Sequence, residues 1–322
     1  MKVRILSSDS VESAIDMPIA IETIRDAFAA LAAGKATVPV RVALETPHGV
    51  SLFMPAHLRE QDSTSVKIVS VNEGNTKLGL PVIHAVVVVL DTLTGCPVAL
   101  MDGTWLTALR TGAVGGLAAD LLARKESETV ALFGAGIQAR TQLEAVRCVR
   151  DIKEVRVVSR TTKSAEDLVG ELSGLEAISM EDPDKAVAGA DIIITATSSS
   201  TPVFDGALVE PGTHVTGIGS FTTDMREVDA TLVKRARVIV DQKEAVLEEA
   251  GDIVGPINDG LFGEDVIVGE IGDVILDQIA GRTGLEEITY FKSVGNAVQD
   301  AAVAARVLSI AEREGLGEIF DL

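Results

Sequence analysis

Apolar and polar positions follow two different patterns along the chain. Up to Asp102, short apolar segments are separated by glycine, proline and asparagine, which is typical of β-strands joined by turns. One helix precedes most of them: it is predicted to begin near Asp16, with Pro18 in its first turn, and to stop at Gly34. The predicted strands are VRIL, TVPVRVAL, GVSLFMP, SVKIVSV, PVIHAVVVVLD and PVALMDG. This region is therefore predicted to be α+β, with a mostly antiparallel sheet.

From Thr129 onwards, apolar runs alternate with predicted helices. The runs are TVALFGAG, EVRVVSR, ADIIITAT, THVTGIGS and ARVIVD. Strands that alternate with helices predict right-handed βαβ crossovers and a parallel sheet. A helix of small residues, TWLTALRTGAVGGLAADLLA, precedes this region, and the amphipathic last helix, NAVQDAAVAARVLSIAERE, is long enough to return to the first region. The chain is predicted to be an α/β protein of two domains.

Composition narrows the possible partners of the chain. Its 322 residues include 48 acids and 28 bases, for a net charge of -20, which disfavours nucleic acid and anionic membranes because these require a basic surface. Neither a secretory signal nor a membrane span is indicated, so we expect a cytoplasmic protein. Cys96 and Cys148 form no CxxC motif, and no residue spacing indicates a metal site.

A glycine-rich loop joins the strand TVALF to the following helix. Gly134, Gly136 and Ala139 occupy the G-x-G-x-x-A positions, in the strand-then-helix context that a dinucleotide site requires. Gly134 permits a tight turn, and Gly136 lets backbone N–H groups approach a pyrophosphate at the positive end of the helix. The loop therefore predicts a dinucleotide site, and a plain turn between strand and helix is the alternative.

The end of the next strand bears on which dinucleotide is bound. An NAD-specific protein usually places an acid there for the ribose hydroxyls. This chain instead has Ser159, Arg160, Thr161 and Lys163, which offer hydroxyls and cations suited to a 2'-phosphate. We therefore predict that NADP(H) is preferred and that NAD(H) is possible, the alternative being a solvated loop.

Three cations lie in apolar segments of the first region. Lys67 is in SVKIVSV, Arg41 is in VPVRVAL, and Arg110 has no acid at helical i,i+3 or i,i+4 spacing. A buried cation without a partner is costly, so the three could converge on a carboxylate, which arginine grips through two hydrogen bonds. Pairing with acids distant in sequence is the alternative, and spacing does not decide between the two.

Five segments together resemble one known family, the ornithine cyclodeaminase/mu-crystallin family. They are MPAHL, VKIVSVNEGN, PVALMDGTWLTALRTGAVGG, GAGIQA and FKSVGNAVQD, and the resemblance covers nearly the whole chain. It implies a homodimer in which a Rossmann NAD(P)-binding domain, residues 125–296, is inserted into an α+β substrate and dimerisation domain, residues 1–124 plus 297–322. It also implies that Arg41, Lys67 and Arg110 hold a substrate α-carboxylate, with Lys67 and Arg110 as the catalytic pair.

The resemblance adds further cofactor contacts to the glycine-rich loop. Together with the residues at the second strand end, the predicted cofactor-binding set is Thr111, Gly134, Gly136, Ile137, Gln138, Ala139, Ser159, Arg160, Thr161, Lys163, Thr195, Thr197, Ser198, Ser293 and Gly295.

Two departures from the family pattern bear on the reaction. Ornithine-cyclising members have a glutamate where this chain has Leu52, and they and the alanine dehydrogenases have an aspartate where it has Phe221. A ligand with a distal ammonium would lose both partners, so Leu52 and Phe221 are predicted to contact an uncharged side chain or ring. The favoured reaction is NAD(P)H-dependent reduction of a small-molecule α-imino carboxylate, a cyclic ketimine or the imine of a small 2-oxo acid, to an L-amino acid.

Other reactions and roles stay open. Within the family the alternatives are reductive amination of pyruvate, ornithine cyclodeamination, and elimination from a hydroxyproline without net redox change. The alternative in which the chain is not an enzyme is a non-catalytic, crystallin-like binding protein.

Overall fold

A computed structural model describes residues 1–322, which form two units. The first unit comprises Met1–Arg110 and Asn296–Leu322, and the second comprises Thr111–Gly295. The chain thus leaves the first unit once and returns to it for its last helix and strand.

The first unit contains a mixed sheet of eight strands. Its strands are β1 (Lys2–Leu6), β2 (Ala36–Thr37), β3 (Val42–Thr46), β4 (Gly49–Leu58), β5 (Ser63–Val71), β6 (Ile83–Asp91), β7 (Pro97–Asp102) and β16 (Glu318–Asp321). The order is β16-β1-β7-β6-β5-β4-β2, with β3 also paired to β4. All neighbours are antiparallel except β1 and β7. The predicted mostly antiparallel sheet is confirmed.

Helices cover one face of this sheet. They are α1 (Ser8–Ala14), α2 (Met17–Ala32) and α11 (Ala297–Glu314), while α3 (Gly103–Leu122) begins in this unit and continues into the second. As predicted, α2 begins after Asp16, whose carboxylate accepts a hydrogen bond from the backbone N–H of Ile19 at 2.9 Å. Helix α11 packs on α2, β4 and β5, so the predicted return of the last helix is confirmed.

The two faces of the sheet differ in burial. Met54, Lys67 and Val87 are register partners on β4, β5 and β6, and all three are buried beneath the helices. Successive residues of a strand point to opposite faces. The next row therefore lies on the outer face, where Val42, Phe53, Ile68 and Val86 are register partners. Both faces of the sheet are thus apolar.

The segment TVPVRVAL was wrongly predicted as one strand. It contains the end of β2 and the start of β3, with an irregular stretch around Pro39 and Arg41 between them. Proline has no N–H to donate to a sheet, which explains the interruption. Arg41 consequently lies just before β3, and its neighbours Val40 and Val42 are exposed rather than buried.

The second unit contains an eight-stranded parallel sheet. Its strands are β8 (Thr129–Phe133), β9 (Glu154–Val158), β10 (Glu176–Ser179), β11 (Ile192–Thr195), β12 (His214–Gly217), β13 (Ala236–Val240), β14 (Ile267–Glu270) and β15 (Ile288–Lys292). The order is β10-β9-β8-β11-β12-β15-β13-β14, and every pairing is parallel. This is the doubly wound order of a dinucleotide-binding fold, with its switch point between β8 and β11.

Helices connect these strands. After α3 come α4 (Ile137–Val149), α5 (Thr162–Glu171), α6 (Pro183–Val187), α7 (Ala230–Arg235), α8 (Lys243–Glu249), α9 (Gly251–Asn258) and α10 (Ile271–Ile275). Three short 3-10 helices complete the chain, at Glu73–Leu78, Gly206–Leu208 and Glu264–Val266. None of the helices combines the length and the apolar character needed to cross a bilayer.

Candidate functional site

A buried carboxylate in the first unit joins two of the predicted cations. The two oxygens of Asp300 lie 2.9 and 2.8 Å from Lys67 Nζ, and Oδ1 also lies 3.0 Å from Arg110 Nε. Arg110 Nη1 donates to the amide oxygen of Gln299 at 2.5 Å. Lys67 and Asp300 are each 1% exposed. Arg110 is thus held through two of its three guanidinium nitrogens, Nε and Nη1.

Arg41 adds a third positive charge near this group. Its charge, like that of Arg110, lowers the pKa of Lys67, while Asp300 raises it. Burial has the largest effect, and the pKa of Lys67 falls to about 8. We call Arg41, Lys67, Arg110 and Asp300 the cation cluster, in which three cationic side chains lie near one buried carboxylate. Cationic groups gathered in this way favour the binding of an anion.

Sequence analysis selected these three cations and gave pairing with a distant acid as the alternative; Lys67 and Arg110 have such a partner, although the sequence did not identify it as Asp300. Asp300 is 233 residues from Lys67 in the chain, so no helical or strand spacing could connect them. A signal was nevertheless present, since Gln299 and Asp300 interrupt the apolar first turns of the last helix. Lys67 and Arg110 therefore share a buried acid in addition to any ligand.

Leu52 lies on the same face of the sheet as Lys67. Met54 is the register partner of Lys67, and Leu52 is two residues earlier on the same strand, β4. Residues two apart on a strand point to the same side. An apolar side chain thus lies next to the cation cluster on the same face of the sheet.

The glycine-rich loop of the second unit has the geometry that a pyrophosphate requires. Gly134 has φ +111°, and a Cβ atom there would lie 2.4 Å from the carbonyl oxygen of Ala196, so only glycine fits. Gly136 is the N-cap of α4 and offers no side chain to the first backbone N–H groups of that helix. Its Cβ position is open. The backbone N–H groups in the first turn of α4 therefore fit a dinucleotide phosphate.

None of residues 159–165, which directly follow β9, is acidic, and the Thr162 hydroxyl donates to Glu181 at 3.4 Å. Arg160 is exposed and makes no ion pair, whereas Lys163 is paired with Asp167 at 3.1 Å. Thr161 caps α5, its hydroxyl accepting from the backbone N–H of Ser164. Of the predicted set at this strand end, Arg160 is the cation left for a ligand.

Two buried acids hold the remaining predicted cofactor residues at the ends of their strands. Glu227 accepts from the Thr195 hydroxyl at 3.0 Å and from the backbone N–H of Thr197 at 2.6 Å. Asp241 accepts from the Ser293 hydroxyl at 2.7 Å and from the N–H of Gly295 at 2.8 Å. Sequence analysis missed both acids because nothing in their local pattern links them to these loops.

The other predicted residues are placed as follows. Thr111 is buried in α3, and its carbonyl oxygen accepts from Gln142 Nε2 at 2.5 Å. Phe221 follows β12 and is 37% exposed. No group of three or more His, Cys, Asp or Glu side chains is arranged to hold a metal ion.

Comparison with known proteins places the whole chain beside one family. A sequence model described as the ornithine cyclodeaminase/mu-crystallin family matches residues 1–314. A Delta(1)-pyrroline-2-carboxylate reductase of Bacillus cereus is 37% identical over 97% of this chain and 98% of that protein. The solved Delta(1)-pyrroline-2-carboxylate reductase of Thermococcus litoralis, in complex with NADH and L-proline, is 40% identical, with a TM-score of 0.95 over 98% of this chain and 99% of that one. An archaeal alanine dehydrogenase dimer with bound NAD is 38% identical, with a TM-score of 0.96 over 100% of both chains.

The substitution Asp300→Asn should destabilise the protein at neutral pH by about 3 kcal/mol, because it leaves two buried cations without their counterion. Without the carboxylate the pKa of Lys67 falls further below 8, so the loss should shrink as the pH rises through the range in which Lys67 of the wild type loses its proton. Urea unfolding at neutral and alkaline pH measures both effects.

A suitable control is Glu60→Gln, which removes the exposed ion pair between Lys35 and Glu60. It should change the free energy of unfolding by less than about 1 kcal/mol. Equal unfolding midpoints for Asp300→Asn and the wild type at neutral pH would contradict the structural role given to Asp300.

Proposed function

The chain belongs to the ornithine cyclodeaminase/mu-crystallin family, and from this premise we propose that it reduces a cyclic α-imino carboxylate to an L-amino acid. The substrate class is a ketimine such as Δ1-pyrroline-2-carboxylate. The observation that carries the proposal is the cation cluster, in which Lys67 and Arg110 are buried around Asp300 and Arg41 lies near enough to lower the pKa of Lys67.

Three predictions are confirmed by relatives of this identity and coverage. The family is the predicted one, and the α/β fold with a Rossmann-type parallel sheet is shared with the solved relatives. The predicted enzyme class, an NAD(P)-dependent oxidoreductase, is also confirmed. Substrate and choice of dinucleotide are the further steps proposed here.

The cation cluster supports binding of the substrate carboxylate. Asp300 and Gln299 hold Arg110 through Nε and Nη1, and Nη2 is the remaining nitrogen for a carboxylate oxygen. A guanidinium that is already oriented loses little entropy when it forms a charge-assisted hydrogen bond. Arg41 and Lys67 supply the further charge. The α-carboxylate of an imino acid is thereby the ligand group that this cluster suits.

Lys67 is suited to hold a proton near the substrate nitrogen. Its lowered pKa of about 8 means that it is mostly protonated at neutral pH but releases its proton more readily than an ordinary lysine. A ketimine that enters as its iminium needs no further proton for reduction. The absence of the family aspartate at Phe221 is therefore compatible with reduction, because Lys67 or water can serve where a proton is required.

The glycine-rich loop and the following strand ends are the proposed dinucleotide site. Gly134, Gly136, Ile137 and Gln138 would hold the pyrophosphate through backbone N–H groups. A bound NAD(P)H supplies the hydride that reduces the carbon of the C=N bond. The protein contributes orientation, which can lower a barrier by on the order of 7 kcal/mol in favourable cases.

Two apolar residues support a substrate without a charged side chain. Leu52 lies beside the cluster on β4, and Phe221 is the second predicted contact. An ornithine side chain would bring an ammonium that neither residue can pair with, and burying such a charge is costly. A five- or six-membered ring imine has no such group.

The proposal is tested by a panel of substrates assayed with NADH and NADPH. Δ1-pyrroline-2-carboxylate and Δ1-piperideine-2-carboxylate should each consume the reduced dinucleotide in a one-to-one ratio. Iminosuccinate, pyruvate with ammonium, and ornithine cover the alternatives. Ornithine turnover without net change in the reduced dinucleotide, together with inert ketimines, would replace reduction by elimination.

The variant Arg110→Ala identifies the carboxylate contact in the same assay. It should lower kcat/KM for the ketimine by an amount equivalent to ~2 to 4 kcal/mol, since a charge-assisted hydrogen bond is lost. Binding of the dinucleotide should stay nearly unchanged. Arg110→Lys keeps the charge but not the planar fork and should recover only part of the activity. An unchanged kcat/KM in Arg110→Ala would refute this role.

We further propose that NADP(H) is preferred and that NAD(H) is accepted. The exposed, unpaired Arg160 and the absence of an acid among residues 159–165, directly after β9, support a 2'-phosphate contact. The two solved relatives named above hold NAD(H), so the preference rests on the residues of this chain.

Equilibrium titration should show tighter binding of NADPH than of NADH. Arg160→Ala should weaken NADPH binding roughly tenfold or more, through loss of a charge-assisted hydrogen bond, and leave NADH almost unaffected. Lys163→Ala is the matched control, because Lys163 is already paired with Asp167. Tighter binding of NADH by the wild type would overturn the preference.

We also propose that two copies of the chain associate through the outer face of the first unit's sheet. Val42, Phe53, Ile68 and Val86 form an apolar row across four strands there, and Val42 and Val86 are 62% and 40% exposed. Contiguous exposed apolar surface of this kind marks an interaction site. A second copy is the favoured partner because a solved relative of 38% identity is a dimer.

Light scattering should give a mass of twice the 33.7 kDa of the chain. Val86→Arg should produce monomers, because it places a charge within the apolar row. Leu93→Arg, in the turn after β6 where Leu93 is 90% exposed, is the control and should stay dimeric. A wild type of single-chain mass, or a dimeric Val86→Arg, would contradict this interface.

A further inference from the structure

Glu227 has an unusual set of hydrogen bonds for a carboxylate with no exposed surface. Its Oε1 accepts from the N–H and the hydroxyl of Thr197 at 2.6 and 2.8 Å. Its Oε2 accepts from the N–H groups of Gly219 and Ser220 at 2.7 and 3.1 Å and from the Thr195 hydroxyl at 3.0 Å. Five donors thus surround one buried side chain.

These donors come from the ends of two different strands. Thr195 is the last residue of β11 and Thr197 lies in the loop that follows it, while Gly219 and Ser220 belong to the loop that follows β12. The loops touch: a Cβ atom at Gly219 would lie 2.1 Å from the carbonyl oxygen of Thr197 and 2.4 Å from Glu227 Oε1. Only glycine permits this approach, so the glutamate and the glycine together define how close the loops lie.

The backbone of Glu227 is itself anchored. Asp252 accepts from the N–H groups of Glu227 and Val228 at 2.6 and 3.1 Å, and its other oxygen lies 2.9 Å from Lys292 Nζ. Burial raises the pKa of Glu227, whereas Lys292 and the Thr197 donors favour its charged form. The side chain is therefore fixed from both ends, which distinguishes it from an incidental buried acid.

We infer that Glu227 is a positioning residue for the nicotinamide half of the dinucleotide, acting by holding the loops after β11 and β12 together. In a doubly wound sheet the adenosine half lies on the side of the second strand, here β9, and the nicotinamide half lies across the switch point, on the side of β11 and β12. The inference rests on the proposed function, because it requires that the second unit binds a dinucleotide.

The two halves of the cofactor should respond differently to the loss of Glu227. Loss of the Glu227 charge should disturb Thr197, which Glu227 binds, and Ser198 and Phe221, which directly follow residues that it binds. The loop after β8 and Arg160 after β9 should stay in place. Binding of the whole dinucleotide should suffer, while binding of a fragment that ends at the diphosphate-linked ribose should not. A purely structural role would affect both or neither.

The test compares Glu227→Gln with the wild type in titrations with NADPH and with 2'-phospho-ADP-ribose, which lacks the nicotinamide. NADPH should bind roughly tenfold more weakly, as expected for one lost charge-assisted hydrogen bond, and the fragment should bind unchanged. The kcat for the ketimine should also fall. If Glu227→Gln does not fold, Glu227→Asp, which keeps the charge but cannot reach both loops, should show the same difference between the two ligands.

The control is Asp229→Asn, two residues away. Asp229 accepts from the N–H groups of Gly206 and Leu232, so its loss should affect stability without touching either loop. A wild type that binds NADPH and a Glu227 variant that binds both ligands as the wild type does would overturn the inference alone. A wild type that binds neither these two ligands nor NADH would instead remove the proposed function.

Discussion

The charge balance around Asp300 is the constraint on which the first unit depends. Lys67 and Arg110 are buried in elements distant in sequence, and burying either charge without a counterion would destabilise the fold. Helix α11 delivers that counterion while packing its apolar side on α2, β4 and β5. One interaction therefore connects the packing of the unit to the electrostatics of its candidate site, and neither can be altered independently of the other.

In the second unit, the buried charged residues next to the candidate site are acids rather than cations. Its parallel strands are buried on both faces, so their polar chemistry is confined to the loops at the strand ends. The carboxylates of Glu227 and Asp241 accept hydrogen bonds from backbone N–H groups of these loops. Loops held in this way can present backbone atoms to a ligand without reorganising, which is the condition for oriented reaction.

The sequence predicted the features that depend on local patterns and missed those that depend on contacts between residues distant in sequence. The cap at Asp16, the loop from Gly134 to Ala139 and the alternation of strands with helices are local patterns, and they were predicted correctly. The break at Pro39 was missed because the apolar pattern continues through it. Asp300 and Glu227 were missed because their partners are distant in sequence, and only the tertiary structure brings them together.

The position of Asp300 near the end of the chain bears on the order of synthesis. Lys67 and Arg110 leave the ribosome long before residues 296–322, with the whole of the second unit made in between. Until α11 emerges, the sheet of the first unit has two cations without their counterion and an inner face without its cover. We expect the first-made part of this protein to be the last to reach its native state, because the candidate catalytic centre is complete only once α11 has been made.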